Sequence, residues 1–263
     1  PEEIKGQIEN LFEELPSADS LGAMKEWVRE LAYRFEAMNP SKQTTTQLLI
    51  DASDDIVHEN LADAERKLEE LKGSRESITS FDQNLLKVLI ELQKGNYPKA
   101  IQIYDEKLIP AAEDTQDPIP LAIALSMKAR TEFVTFFQEN QNTAEKLYEA
   151  LESGQNALEA ISEAAEEDVP PYIVPRTASL CLEISLILSA GRADKGDYES
   201  ANELLDFAIE YIPEADTKDA QIVIGRYIRA LLDFDKSFAT QALQTIRDKI
   251  KEKDSGDLEE FMK

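Results

Sequence analysis

The sequence predicts an all-helical fold, and composition, periodicity and punctuation each support that class. Good helix formers dominate the 263 residues, while Gly (9) and Pro (11) are scarce. The β-branched and aromatic runs that strands need are almost absent. Apolar residues recur three and four positions apart along nearly the whole chain, with turn-forming residues roughly every 12 to 25 positions. We therefore expect short connections and antiparallel neighbouring helices.

Two helices are predicted before residue 40. The first covers about 2–15 and stops before Pro16, and the second continues to Asn39-Pro40. It ends there because proline disfavours the helical conformation in the residue that precedes it. We expect these helices to form an N-terminal hairpin, 1–40, that packs on the rest of the protein.

The main body of the predicted fold is a helical array at 41–254. Its helices are expected at about 41–58, 60–72, 76–94, 97–109, 120–139, 143–167, 173–194, 198–212, 217–234 and 237–253. Gly73 is expected to cap a helix in the left-handed conformation. Pro110 is expected to close another helix, and the clearest loop is 111–120. The acidic tail, 255–263, is expected to fray.

Two segments match each other where one predicted helix turns into the next. One reads Gly95-Asn96-Tyr97-Pro98-Lys99-Ala100 and the other Gly196-Asp197-Tyr198-Glu199-Ser200-Ala201. The glycine permits the turn, and the tyrosine packs a ring at the start of the second helix. The alanine lets the paired helices approach closely. The shared pattern predicts that the fold repeats a helix hairpin.

At these positions the chain resembles the tetratricopeptide repeat family. The second segment carries the stronger likeness, because Gly196, Tyr198, Ala201, Ala208 and Pro213 all fall at the spacings that the family uses. The resemblance implies a right-handed superhelical array of antiparallel helix hairpins. It also implies a concave surface, lined by the first helix of each pair, that binds segments of other proteins.

The repeats are expected to be irregular. Equivalent small residues are predicted at Ala64, Ala100, Ala144 and Ala201, at intervals of 36, 44 and 57 residues, whereas the family period is about 34. The first segment also departs from the family pattern, since charged residues stand at three positions where apolar or small ones are usual: Lys87, Glu91 and Lys107. A generic helical bundle with coincidental turn residues is the alternative.

The charge balance limits the classes of partner. The chain has 28 basic and 53 acidic residues, a formal net charge of −25. Nucleic acids and anionic membranes bind through Lys and Arg, so neither is expected as a direct ligand. An acidic surface would attract a basic protein or peptide, although the same charge also serves solubility or a salty cytoplasm.

Nothing in the sequence demands an oxidising compartment or a membrane. Cys181 is the only cysteine, so an intramolecular disulfide is excluded. The longest apolar stretch, 180–190, is too short to span a bilayer and is interrupted by Glu183. We expect a cytoplasmic protein without membrane insertion.

Helical spacing selects a set of candidate partner-binding residues on the predicted first helices. They are Leu89, Leu92, Arg130, Phe133, Phe137, Arg226 and Tyr227. Adjacent phenylalanines at 136 and 137 cannot both enter one narrow helix seam, so one of them is expected to face the groove. The competing interpretation buries all three phenylalanines in the core. The clamp of Lys, Asn and Arg with which members of the family hold a C-terminal carboxylate is not found, so capture of chaperone tails is not predicted.

One cluster has metal-ligand residue types. On a helix, Asp54, Asp55 and His58 could share a face, but a metal site would need further ligands from a second helix. A polar helix end with His58 near the negative end of the dipole is the simpler interpretation. Phosphate-loop, nucleophile-elbow and Cys-x-x-Cys motifs are also missing from the sequence. No catalytic residue, metal or cofactor is therefore predicted.

The sequence favours a scaffold that binds a partner segment in a concave groove and is not an enzyme. The first alternative is the sensor or oligomerisation domain of a regulator whose effector lies elsewhere, which allows for a homo-oligomer. The second is a metal-dependent helical enzyme that uses the cluster at 54–59.

Overall fold

The computed structural model describes residues 44–72, 80–138, 143–165 and 169–252, and every regular element in these ranges is helical. The helices are α1 (Thr44–Val57), α2 (Leu61–Lys72), α3 (Ser80–Gln93), α4 (Tyr97–Ile103), α5 (Ile109–Glu113), α6 (Pro118–Gln138), α7 (Ala144–Ser162), α8 (Ile173–Asp194), α9 (Tyr198–Glu210), α10 (Thr217–Phe234) and α11 (Lys236–Glu252). The all-helical prediction is confirmed. The predicted N-terminal hairpin, the cap at Gly73 and the acidic tail lie outside the described residues.

The prediction that a helix closes at Pro110 is wrong. A π-helical turn, Tyr104–Leu108, joins α4 to α5, and the chain stays helical to Glu113. The Ile109 N–H donates to the Tyr104 carbonyl five residues back. This wider turn lets the chain pass a proline that has no N–H to donate. The predicted loop at 111–120 is therefore only the short connection 114–117.

The turns that follow α3 and α8 end their helices in the same way. Gly95 has a φ of +71° and donates to the Leu92 carbonyl at 2.9 Å, while Asn96 donates to the Glu91 carbonyl at 2.9 Å. Gly196 has a φ of +74° and donates to the Ala193 carbonyl at 2.9 Å, while Asp197 donates to the Arg192 carbonyl at 3.0 Å. The two bonds define a Schellman motif, which requires a left-handed residue at this position.

A third turn of the same kind joins α1 to α2 without a glycine. Glu59 has a φ of +61° and donates to the Ile56 carbonyl at 3.1 Å. The next residue, Asn60, donates to the Asp55 carbonyl at 2.7 Å. The same backbone geometry is thus imposed on a residue type that disfavours it. This turn lies between the helices predicted at about 41–58 and 60–72.

Small residues mark the seam of four hairpins. Ala64, Ala100 and Ala201 are each 0% exposed, as predicted, but Ala144 is exposed at the start of α7, so its assignment to a seam was wrong. Ala239 on α11, 1% exposed, occupies the equivalent position instead. Each buried alanine donates its N–H to the residue that precedes its helix. The first two lie 36 residues apart and the last two 38.

Consecutive helices pack in pairs, and the pairs also contact one another. The pairs are α1 with α2, α3 with α4, α6 with α7, α8 with α9, and α10 with α11. α8 also packs against α6 and α10, which places three first helices side by side, and α9 contacts α11.

The composition of α8 is explained by its central place. Among the described residues it is the one helix long and apolar enough to cross a membrane, but 78% of its most apolar stretch is buried inside the protein. At its contact with α6, the hydroxyl groups of Thr177 and Ser126 form a buried hydrogen bond. The helix therefore has the burial of a core element.

Candidate partner-binding surface

Four of the seven predicted partner-binding residues lie in the core. Leu89, Leu92, Phe133 and Tyr227 are only 0–4% exposed. The Tyr227 hydroxyl forms a buried hydrogen bond of 2.8 Å with Ser189 Oγ on α8. These side chains pack against the protein itself, because a helix in the middle of an array buries most of its circumference. As they stand, they offer a partner no surface.

The phenylalanine cluster of α6 has one partly exposed member. Phe136 is 2% exposed, whereas Phe137 is partly buried at the edge of the cluster. The Phe137 ring meets those of Phe133 and Phe136 edge to face, with centroids 5.1 and 5.0 Å away. These T-shaped contacts hold Phe137 in place, so its partly exposed ring is the one aromatic group of the run that a partner could reach.

The two predicted arginines lie near the same carboxylate. Arg130 on α6 and Arg226 on α10 both act electrostatically on Glu183, which lies on α8 between them. Burial raises the pKa of Glu183 above its usual value, and the two guanidinium groups only partly oppose that rise. The electrostatic interactions of Glu183 thus link residues of three first helices.

Two further charged residues join this group, two helical turns along from the first ones. Arg176 lies seven residues before Glu183 on α8, and Asp219 lies seven residues before Arg226 on α10. Seven residues are about two turns, so each pair shares one face of its helix. The charged cluster is defined here as Arg130, Arg176, Glu183, Asp219 and Arg226. Arg176, Glu183 and Asp219 were not predicted, although the heptad spacing and an acid in the middle of an apolar helix were visible signals.

Arg130 is the central residue of the charged cluster. Burial lowers its pKa, while the charges of Glu183 and Asp219 raise it and that of Arg176 lowers it further. Its Nε atom is buried and has no hydrogen-bond partner in the described structure. Asp219 lies on α10, so the electrostatic interactions of Arg130 extend to an acid on the helix beyond α8.

A separate polar network lies on another side of α6. Lys128 Nζ is 2.7 Å from Asp105 Oδ1 and 3.5 Å from Glu132 Oε1. Ser153 Oγ on α7 donates to Glu132 Oε2 at 2.9 Å. Burial raises the pKa of Glu132 despite the nearby lysine. This network ties α6 to its neighbours and is held together by its own contacts.

The residues of the cluster at 54–59, which has metal-ligand residue types, contact different partners. His58 Nδ1 lies 3.2 Å from Asp54 Oδ1 at an exposed helix end, whereas Asp55 Oδ2 lies 2.5 Å from Lys67 Nζ on α2. Within the described ranges, no three or more His, Cys, Asp or Glu residues form a group that could hold a metal ion.

Cys181 is a buried thiol within the core. Burial raises its pKa to about 12, so the thiolate form is strongly disfavoured. Its Sγ atom lies against Gly154 of α7, where an added Cβ would come within 2.6 Å of the sulfur. The pair allows α7 and α8 to approach closely.

Comparisons with models of known families, with curated proteins and with solved structures found no match to this chain. The likeness to tetratricopeptide repeats therefore depends on the turn and seam residues described above.

Proposed function

We propose that the protein is a cytoplasmic binding scaffold that holds a segment of a partner protein along the face shared by α6, α8 and α10. The observation that carries this proposal is that α8 packs against both α6 and α10, so that the first helices of three successive hairpins lie side by side. In a superhelical array of helix hairpins, such a row of first helices lines the concave binding surface.

The chemistry of this face suits a protein segment. It combines partly exposed charged groups with the edge of the Phe137 ring, and protein-binding grooves typically pair an aromatic anchor with a few placed polar groups. Binding, not catalysis, is the activity we propose.

The net charge of −25 gives the proposed scaffold a preference for partners that are basic overall. Long-range attraction speeds the encounter of oppositely charged proteins and is screened by salt. The negative net charge also disfavours direct binding of nucleic acid, because proteins bind its phosphates through Lys and Arg.

The proposal is tested by selecting ligands from a phage-displayed library of random peptides. We expect enriched peptides whose affinity falls at least tenfold on Phe137→Ala and declines as salt is raised. Tyr148→Ala, an exposed aromatic on α7, is the matched control and should bind as the wild type does. Melting curves by circular dichroism confirm that both variants fold. Failure to enrich any peptide, or peptides indifferent to Phe137→Ala, would refute the proposal.

A second candidate function, an oligomerisation domain, is favoured by large apolar side chains that α10 leaves exposed. Three of its side chains are exposed although large and apolar: Ile222 (41%), Leu232 (44%) and Phe234 (40%). Light scattering after size exclusion tests this candidate. A dimer that Leu232→Glu converts to a monomer would support it, and a monomeric wild type at high concentration would exclude it.

A further inference from the structure

We propose that α10 pairs with α10 of a second copy of the chain, in antiparallel orientation across a twofold axis level with Tyr227. This inference rests on the second candidate function, an oligomerisation domain, and names the surface and the arrangement by which two copies associate. It does not require the partner segment proposed for the face of α6, α8 and α10.

The first reason is an exposed stripe on one side of α10. Ile222 and Leu232 are 41% and 44% exposed, and among the described residues no other large aliphatic side chain is so open to solvent. Gly225 and Arg229 lie between them in the sequence and are exposed as well. The spacing of three, four and three residues places all four on one face of the helix. The stripe is therefore accessible to another molecule over about three helical turns.

The second reason is that the spacing of this stripe is the same in both directions along the helix. When two such helices pack antiparallel, Ile222 of one copy comes level with Leu232 of the second copy, and Gly225 comes level with Arg229. Each contact then occurs twice, because a twofold interface uses the same patch on both copies. Gly225 has no side chain, so it leaves room for the apolar stem of the opposing Arg229. The stripe is thus complementary to itself.

The third reason is the local charge. Two copies that each carry a net charge of −25 repel each other, so they associate most readily through a region without an excess of acids. The hairpin of α10 and α11, 217–252, has seven basic and five acidic residues, whereas α7 and α9 together have one basic and eight acidic residues. The antiparallel arrangement also brings the exposed Asp233 within about 4.5 Å, measured along the axis, of the exposed Lys218 of the second copy.

The experiment is chemical cross-linking between two single-cysteine substitutions. Ile222→Cys and Leu232→Cys chains of different mass are mixed at about 0.5 M salt, so that the repulsion is screened, and treated with a short bismaleimide. The native Cys181 is buried and therefore does not compete. We expect links between unlike chains to form at least tenfold faster than links between like chains. Equal positions on the two copies would lie about 15 Å apart along the axis, beyond the reach of the reagent.

A further variant separates pairing from folding. Gly225→Gln should raise the melting temperature of the monomer, because glycine is a poor helix former. It should also weaken the dimer at least tenfold, because the new side chain occupies the space of the opposing Arg229. Tyr148→Gln, at an exposed position of α7, is the control and should leave the dissociation constant unchanged. Sedimentation equilibrium measures that constant, and circular dichroism at low protein concentration measures the melting temperature.

The outcomes distinguish this inference from the function on which it rests. A wild type that stays monomeric at high concentration would remove both the inference and the oligomerisation candidate. A dimer that cross-links mainly between like chains, or one that Gly225→Gln leaves intact, would overturn the antiparallel pairing and leave the oligomerisation candidate standing.

Discussion

The hairpins α3–α4 and α8–α9 share one turn geometry but differ in how they compensate a buried acid of the first helix. Glu91 on α3 finds its partners within its own hairpin. Lys99 Nζ lies 2.8 Å from its Oε1, and Asn96 Nδ2 donates to its Oε2 at 3.0 Å. Burial alone would raise the pKa of Glu91, but these hydrogen bonds and the charges of Lys94 and Lys99 lower it below its usual value.

Glu183 on α8 shows the opposite behaviour. Its opposite charges come from the neighbouring first helices, through Arg130 and Arg226, and burial keeps its pKa above the usual value. An acid that is hydrogen-bonded within one hairpin stabilises that hairpin, whereas the charge of Glu183 is only partly compensated by residues of the neighbouring helices. The first environment is that of a structural ion pair, and the second belongs to the face that we propose as a binding site.

The largest expected effect tests whether both hairpins have the same seam. Ala100→Leu and Ala201→Leu should each lower the free energy of unfolding by about 2–3 kcal/mol, because extra methylene groups cannot enter a fully packed helix contact. Ala144→Leu, at an exposed position, should change it by less than about 0.5 kcal/mol. Urea denaturation provides the measurement. A tolerant Ala201 would show that the second hairpin is loosely packed.

Removing the two acids should sharpen the contrast between the hairpins. Glu91→Gln should lower the free energy of unfolding by about 2 kcal/mol, because hydrogen bonds to a charged group are lost. Glu183→Gln should change the free energy of unfolding by no more than about 1 kcal/mol, because burial already disfavours the charged form of this carboxyl. Denaturation at pH 7 compares the two, and equal losses would contradict the contrast.

The pH dependence of the same variants should differ in sign. The pKa of Glu91 is lowered on folding, so its stabilising effect is present above its unfolded pKa and lost as the pH falls through the folded pKa. The pKa of Glu183 is raised, so ionisation disfavours the folded state as the pH rises from the unfolded pKa through the folded pKa. Urea midpoints from pH 3 to 7 should therefore show less acid destabilisation in Glu91→Gln and more in Glu183→Gln.

A smaller effect is expected at the three equivalent turns. Gly95→Ala and Gly196→Ala should each lower the free energy of unfolding by about 1 kcal/mol, because a left-handed φ is strained for a residue with a Cβ. Glu59→Gly should instead raise the free energy of unfolding by up to about 1 kcal/mol, because it removes that strain. Thermal unfolding measures all three. A loss of stability in Glu59→Gly would mean that the glutamate side chain matters more than its backbone strain.

The smallest effect concerns the tyrosine of the repeat motif, which the two hairpins use differently. Tyr97 is 2% exposed, whereas Tyr198 is 41% exposed and donates its hydroxyl to Asp235 Oδ2 at 2.6 Å. This bond, with the backbone N–H groups of Phe238 and Ser237, lowers the pKa of Asp235. That stabilisation is present above the unfolded pKa and lost as the pH falls through the folded pKa.

Tyr198→Phe should raise the pKa of Asp235 toward its ordinary value, which a carboxyl NMR titration detects. The variant should also lose part of the acid-dependent stability of the wild type. In an Asp235→Asn background the tyrosine substitution should have the same effect at every pH. A pKa unchanged by Tyr198→Phe would show that the backbone bonds alone set it.

Much of the fold could be predicted because its signals are local. The range of α8, 173–194, and that of α10, 217–234, were both predicted to the residue, since turn residues flank clear helical periodicity. The left-handed glycines of two turns were also found. Pro110 was misjudged because a π-helical turn, Tyr104–Leu108, carries the helix past the proline, and the sequence pattern gave no sign of that turn.

The candidate site could be predicted only in part. Helical spacing placed Arg130 and Arg226 on first helices but could not tell a partner-facing position from a core position, as Leu89 and Tyr227 show. Glu183 was noticed only as an interruption of an apolar run. Its contribution depends on which helices lie beside α8, and that is a tertiary fact without a local signal.

The central claim is the proposal that the face shared by α6, α8 and α10 binds a partner segment. Its most direct test is a map of NMR amide shifts on titration with a peptide enriched from the library. We predict that the shifts concentrate around Arg130, Glu183 and Arg226. Shifts confined to α7, α9 and α11, or to the exposed edge of α10 around Leu232, would contradict the claim.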